Sequence, residues 1–307
     1  MMTYHNPIKD KTGNTHTIDM VYCTYYAKCQ VSTILDKLRQ FHEKHPEVPY
    51  EEHLARACHS KYDFFRDGVR VGGAYIDLGK YKNYDRLTKT FDIFDMFQLR
   101  VNPNKYFDKS WFRELLDMLL DVGTSGFLRK YDYAVDIPTE PKNVKVLNSR
   151  KEPGLFKGTR YYGQSGRHGY TKVYDKKKER EKVDPDMPAT TRVETTLFAN
   201  KEVSLEEVAI LCENAVKTDL NDLLDTDKAI VEMYRELKAL GSDYELKLGR
   251  KKMEKLKDYL TGGYVVLEYG DILAQLLNTM KKDFCVSDIV TDEDGFLQVD
   301  DEELPFD

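Results

Sequence analysis

The sequence predicts an α+β protein in which a central antiparallel β-sheet with packed helices is followed by a helical C-terminal region and an acidic, disordered tail. Three observations carry this. Segments rich in aromatic and β-branched residues recur over residues 15–200, with two stretches of helical spacing among them. Past Asn200 the apolar spacing becomes helical almost throughout. From Asp283 to Asp307 there are ten acidic residues and no Lys or Arg. These textures divide the chain into a strand-rich region over 1–200, a helical region over 201–284 and a flexible tail over 285–307.

In chain order, "HTIDMVYCTYYAKC" alternates as a strand does. "VSTILDKLRQFHEKH" follows with Val31, Ile34, Leu35, Leu38 and Phe41 at helical spacing, and Ser32 or Thr33 is positioned to cap it. Residues 66–101 read as short strands, "GVRVGGAYIDLG" turning on its glycines and "FDMFQLRVNP" ending at proline. "KSWFRELLDMLLDVG" is an amphipathic helix stopped by Gly123. "RKYDYAVDIP" and "TTRVETTLF" are strands, and between them Tyr162, Gly163 and Gly166 in "YYGQSGRHGYTKVYDKKKER" mark a tight hairpin. "SLEEVAILCENAV", "DKAIVEMYRELKALG", "GRKKMEKLKDYL" and "YGDILAQLLNTMKKDF" all carry helical patterns.

Composition narrows the class. The 307 residues are 41% hydrophobic and 33% charged, with no apolar run near the ~18 residues of a membrane span and no apolar leader at the start. A cytoplasmic protein without a membrane partner is expected. Five cysteines, none spaced as a CxxC pair, read as reduced thiols. Net charge is −6, yet the rest of the chain carries +4 once the acidic end is set aside. From Lys142 to Lys182 thirteen Lys or Arg face four Asp or Glu. Such segregation suits a basic working face, although a solvated charged surface explains the charge alone equally well.

The candidate chemistry sits on two strands and the hairpin between them. The two-residue strand period puts Asp132, Ala134 and Asp136 on one face, and Arg192 with Glu194 on one face of the other strand. Charges on apolar strands are costly to bury unless they pair or bind a metal, and an oxygen-ligand cluster suits Mg²⁺ or Mn²⁺. The structural alternative pairs Asp132 and Glu194 with Arg129 and Arg192 as salt bridges. Tyr170, Lys172 and Tyr174 share a third face. A tyrosine is a poor nucleophile near neutral pH, but a bound metal and adjacent cations stabilise its phenolate and neutralise a phosphodiester. A core-side aromatic is the plainer role for any single tyrosine.

The order "RKYDYAVDIP", "YYGQSGRHGYTKVYDKKKE", "TRVETTL" resembles the plasmid rolling-circle replication initiators of the Rep_trans type, and more loosely the replication proteins of filamentous phages. Those families carry a strand with two acids four residues apart, a Y-x-G segment leading into a [RK]-x-Y-[DE]-K-x-x-E block, and an R-x-E strand. The match spans about residues 127–198, with weaker agreement at "TIDMVYCTYY". The resemblance implies an origin-binding, metal-dependent strand-nicking enzyme, a relaxase-like transferase. Tyr174 would be its nucleophile, leaving a 5′-phosphotyrosine and a free 3′-hydroxyl, with Tyr170 as second choice. It also implies Asp132, Asp136 and Glu194 as ligands of Mg²⁺ or Mn²⁺, and Lys172, Lys176 and Arg192 as phosphate contacts. Glu179 would hold a lysine or assist proton transfer, and Asp19 is a further carboxylate. Partners implied are plasmid origin DNA, as duplex and as hairpin single strand, a host helicase and a second copy of the chain.

No His-hydrophobic-His strand is present, so a metal site would be carboxylate-based, and His168 reads as a loop or phosphate-contacting residue. The end "DDEELPFD" resembles the acidic peptide of bacterial single-stranded-DNA-binding proteins; a solubilising tail is the alternative. Two other functions remain open: a non-catalytic sequence-specific DNA-binding replication protein, and a structural module whose carboxylates pair with arginines.

Overall fold

The structure, a computed structural model, describes residues 7–288 apart from 49, 56–58, 67–68, 86–89, 107–108, 149–153, 200, 202–207, 214–219, 221–222 and 261–263. A mostly antiparallel sheet runs through it in the order β3 (Tyr50–Ala55), β4 (His59–Arg66), β5 (Val69–Asp85), β6 (Thr90–Val101), β2 (Thr15–Ala27), β7 (Gly123–Ile137), β12 (Thr191–Phe198), β11 (Tyr170–Asp175), β10 (Thr159–Tyr162), β9 (Gly154–Phe156). β1 (Ile8–Lys9) pairs with β2, and β15 (Val286–Asp288) adds in parallel to β7. A second sheet is formed by β14 (Tyr264–Val266), β13 (Val208–Glu213) and β8 (Val144–Asn148). The α+β class read from the sequence is what the chain adopts.

One face of the large sheet is apolar because its strands alternate. Ile18, Val21, Cys23 and Tyr25 of β2 lie beside Phe97 and Leu99 of β6, Tyr131, Tyr133 and Val135 of β7, and Val193 of β12 in a single buried cluster. Three amphipathic helices pack onto it: α1 (Val31–Lys44) through Ile34 and Leu38, α3 (Ser110–Val122) through Phe112, Leu115 and Leu119, and α7 (Gly270–Asp283) through Leu276 and Met280. Helix α2 (Pro103–Tyr106) packs on β2, and α5 (Asp225–Ala239) and α6 (Arg250–Leu260) bury a small core of their own around Val231 and Leu256. Asp227 ties these two together through Lys252 at 2.8 Å and Lys255 at 2.7 Å.

Several sequence expectations are corrected. Strands β5 and β6 are long rather than short, and Gly72 and Gly73 make no turn: they lie where the β4–β5 register slips between Asp63 and Phe65. Glycine there accommodates a bulge inside a continuing strand. The segment 204–216, read as helix, contains β13 instead; a short apolar run fits either state, and pairing with β8 and β14 decides it. Helix α1 begins after Gln30, with no side-chain cap from Ser32 or Thr33. Of the flexible tail expected over 285–307, Val286–Asp288 joins the sheet; the remainder lies outside the described residues. Among the described residues no helix is long and apolar enough to cross a membrane.

Candidate active site

The opposite face of β7, β12 and β11 is polar, and the strand register fixes what meets there. Antiparallel pairing sets Arg192 opposite both Asp136 and Tyr174, Glu194 opposite both Ala134 and Lys172, and Thr196 opposite both Asp132 and Tyr170. Three parallel rows of side chains thus cross the middle of the sheet, and Tyr170, Lys172 and Tyr174 share their face as the strand period requires. The loop between β10 and β11 that aligns them is carried by Gly163, Gly166 and Gly169, all at positive φ of 80°, 75° and 77°.

In the first row, Arg192 donates from Nε to Asp136 Oδ1 and from Nη2 to Asp136 Oδ2, both at 2.6 Å. Its Nη1 lies 3.4 Å from Asp19 Oδ2, and Asp19 Oδ1 accepts from Asn102 Nδ2 at 3.2 Å. Burial works against the guanidinium charge, but the hydrogen bond and charge of Asp136 outweigh it and the net shift is upward. In the second row, Lys172 Nζ lies 2.5 Å from Glu194 Oε1, and the Tyr174 hydroxyl donates toward Glu194 Oε2 at 3.4 Å, longer than a strong O–H···O bond. Burial, and then the negative charge of Glu194, push the Tyr174 phenol above the ordinary tyrosine range. Burial disfavours the charged form of Lys172, yet Glu194 raises its ammonium overall.

The third row holds Asp132. It is buried, at 8% exposure, and accepts from Thr196 Oγ1 at 2.7 Å. Burial raises its carboxyl to about 6; the Thr196 hydrogen bond opposes that shift, and the neighbouring Glu194 charge adds to it. No ion pair reaches Asp132 among the described residues. Tyr22, on β2, lies within electrostatic range of Asp132, with Lys130 Nζ 4.3 Å from its ring centre.

At the end of β11, Asp175 caps the short helix α4 (Lys176–Arg180) by accepting from the Lys178 backbone N–H at 3.0 Å. Lys176 pairs with Glu179 at 2.5 Å and holds its ammonium 5.8 Å from the Tyr174 ring centre. Tyr170 stacks against Tyr161 of β10 with ring centres 6.3 Å apart.

Placed against the sequence reading, Tyr174, Lys172, Glu194, Asp132, Lys176 and Glu179 gather around one polar patch. Arg192 and Asp136 adjoin it as a closed pair, so Arg192 is engaged by carboxylates and Asp136 has both oxygens occupied. Neither of the salt bridges weighed from sequence, to Asp132 or Glu194, is the one Arg192 makes. His168 is buried at 3% and its Nδ1 accepts from the Phe198 backbone N–H at 2.9 Å, which leaves it a structural residue of the loop. Thr196, Tyr22, Lys130, Asn102 and Tyr161 were not singled out, because their place depends on inter-strand register.

The carboxylates test the expected metal. Asp132 and Asp136 are four residues apart on one strand, about 13 Å, which two aspartate side chains cannot bridge with Mg–O bonds of about 2.1 Å. Among the described residues no group of three or more His, Cys, Asp or Glu could hold a metal ion. Asp136 therefore does not fit. Asp132 and Glu194 remain as the carboxylates to consider: they stand on adjacent strands within electrostatic range, Asp132 with one hydroxyl for a partner and Glu194 facing Lys172 and the Tyr174 hydroxyl.

No family model and no curated protein matches the chain. Among solved structures the chain is similar to a rolling circle replication initiator protein from Geobacillus stearothermophilus, at 11% identity and a TM-score of 0.35, over 89% of this chain and 98% of that one. A score at that level transfers neither fold nor chemistry, so what the chain does has to be read from its own side chains.

Proposed function

We propose that the chain is a rolling-circle replication initiator that binds a plasmid origin in the cytoplasm and nicks one strand through Tyr174. The observation that carries this is the row Lys172–Glu194 with the Tyr174 hydroxyl beside it, on a polar sheet face next to a strongly basic segment. The motif order over residues 127–198 supports the same reading.

In this reading the Tyr174 oxygen attacks phosphorus and gives its proton to Glu194, the acceptor it already faces. The bond from phosphorus to the 3′-oxygen breaks, and that oxygen takes a proton from water to become the primer hydroxyl. Lys172 and Lys176 stabilise the charge that develops on the phosphate oxygens. Arg192 acts at one remove by fixing β12 against β7, and Glu179 orients Lys176. Asp132 and Glu194 would hold Mg²⁺ or Mn²⁺, which supplies charge neutralisation and eases ionisation of the phenol. Residues 201–284, with "GRKKMEKLK", would add duplex affinity through phosphate contacts. A host helicase and a second copy of the chain complete the expected partners.

The test incubates the protein with Mn²⁺ and a supercoiled plasmid carrying its own upstream sequence, then separates the products on denaturing gels. Nicked DNA bearing covalently attached protein, lost in Tyr174→Phe and kept in Tyr170→Phe, is the expected result. Loss only in Tyr170→Phe moves the nucleophile. Tight origin binding with no nick in any variant leaves the non-catalytic DNA-binding protein as the better description.

A further inference from the structure

The polar face does not end at Tyr174. Strands β9 and β10 continue it to the edge of the sheet, joined by the two-residue loop Lys157–Gly158 with φ of 50° and 83°. Positive φ at both positions is the type I′ hairpin turn, where Asn or Gly is the easy first residue and a lysine is strained. Register puts Phe156 opposite Thr159, and Tyr161 opposite Lys172, so Phe156, Tyr161 and Tyr170 all lie on the face that carries Tyr174. The same register, continued one residue past the Arg160–Val173 pair, brings Thr159 level with Tyr174. Phe156 is then two strand spacings, about 10 Å, from the tyrosine.

Phe156 is 62% exposed at this edge, an unusual place for a large aromatic on a sheet margin. Cations accompany the rings: Lys157 Nζ is 5.3 Å from the Phe156 ring centre and Lys172 Nζ is 6.0 Å from that of Tyr170. An exposed ring at the edge, a stacked and half-buried tyrosine pair beside it, and lysines near both match a ligand that alternates flat bases with phosphates. A protein partner would have no comparable need for the basic excess of the segment that carries the hairpin, thirteen basic against four acidic residues over 142–182. We infer that Phe156, Tyr161 and Tyr170 form a base-stacking platform that holds single-stranded DNA beside Tyr174, with Lys157 on a flanking phosphate. The choice of ligand rests on the strand-nicking reading.

The experiment measures binding without chemistry. In a Tyr174→Phe background and without divalent ions, an oligothymidine carrying a central 2-aminopurine is titrated with the parent, Phe156→Ala and Phe156→Trp proteins, and with the matching blunt duplex. Phe156→Ala should weaken single-strand binding about tenfold and lose the 2-aminopurine quenching, with Phe156→Trp restoring both and duplex affinity staying within about twofold. Lys157→Ala should lower the salt slope by about 0.7, one single-strand phosphate. The inference is overturned if Phe156→Ala binds as the parent does, if duplex affinity falls equally, or if the parent does not bind the single strand. Phe156 being exposed, its variants should melt as the parent does. Nicking is scored separately on wild-type protein: stacking without any adduct sinks the nicking reading and spares the platform.

Discussion

Arg192 and Asp136 face each other directly across the β7–β12 ladder and share two parallel hydrogen bonds of 2.6 Å. The fork of the guanidinium matches the carboxylate edge, and Asp19 closes the far side. This pair staples the centre of the sheet. Asp136→Asn should destabilise the protein by about 3 kcal/mol, because a buried arginine loses its main counter-charge. Urea unfolding with and without Mg²⁺ checks the assignment: the loss should be the same in both. A loss that appears only with the ion present would make Asp136 a ligand after all.

Asp132 gives the site a pH dependence of unusual sign. Its folded carboxyl titrates near 6, mainly through burial, against about 3.9 in the unfolded chain. Between those values the folded state holds a proton that the unfolded state has released, so stability falls as pH rises through the window and levels off above it. The fall should be up to about 3 kcal/mol, and Asp132→Asn should abolish it. Mn²⁺ added above pH 6 should raise the melting temperature of the parent and leave Asp132→Asn unmoved. Denaturant midpoints across this range, with and without the ion, decide both points.

How much of this the sequence discloses follows from what strand periodicity can and cannot say. The two-residue period alone placed Asp132 with Asp136, Arg192 with Glu194, and Tyr170 with Lys172 and Tyr174. It says nothing of register between strands, and register makes Asp136 the partner of Arg192 and Lys172 the partner of Glu194. Those two pairings separate a structural salt bridge from a reactive row. Asn102 and Asp19 come together from segments whose pairing has no local signature, and the glycines that mark the hairpin between Tyr161 and Tyr170 do not give its register. Residues 208–213 misled for a related reason, since an apolar run long enough for one strand also fits nearly two helical turns.

Lys172 is ion-paired with Glu194 and lies within electrostatic range of Asp132, and Glu194 holds its ammonium in the charged form despite burial. Lys172→Met should therefore cost about 1–3 kcal/mol above pH 6 and much less at pH 4, where Asp132 is protonated. Adding Glu194→Gln should recover part of the loss, since the second substitution removes the charge left unpaired by the first. A double-mutant cycle by chemical denaturation at both pH values measures the coupling. Additive effects would mean that the ion pair does not organise the row.

At the C-terminal end of the described fold, Tyr25 and Gly126 of the central sheet meet residues 284–288. Tyr25 donates its hydroxyl to the Phe284 backbone carbonyl at 2.7 Å, and β15 runs alongside Gly126 in β7. A Cβ on Gly126 would meet the Tyr25 ring at 2.5 Å and Val286 at 3.0 Å, and Tyr25 cannot retreat because its ring is buried and stacked on Phe97 at 4.9 Å. Gly126→Ala should therefore destabilise by about 1–3 kcal/mol, from overpacking rather than backbone strain. Tyr25→Phe, which removes only the hydroxyl, should cost about 1 kcal/mol. Hydrogen exchange tells the two apart: Tyr25→Phe should loosen residues 284–288 alone, whereas Gly126→Ala should also speed exchange along β2 and β7. Unchanged exchange at 284–288 in both variants would show that α7 and the apolar cluster hold this end without the Tyr25 contact.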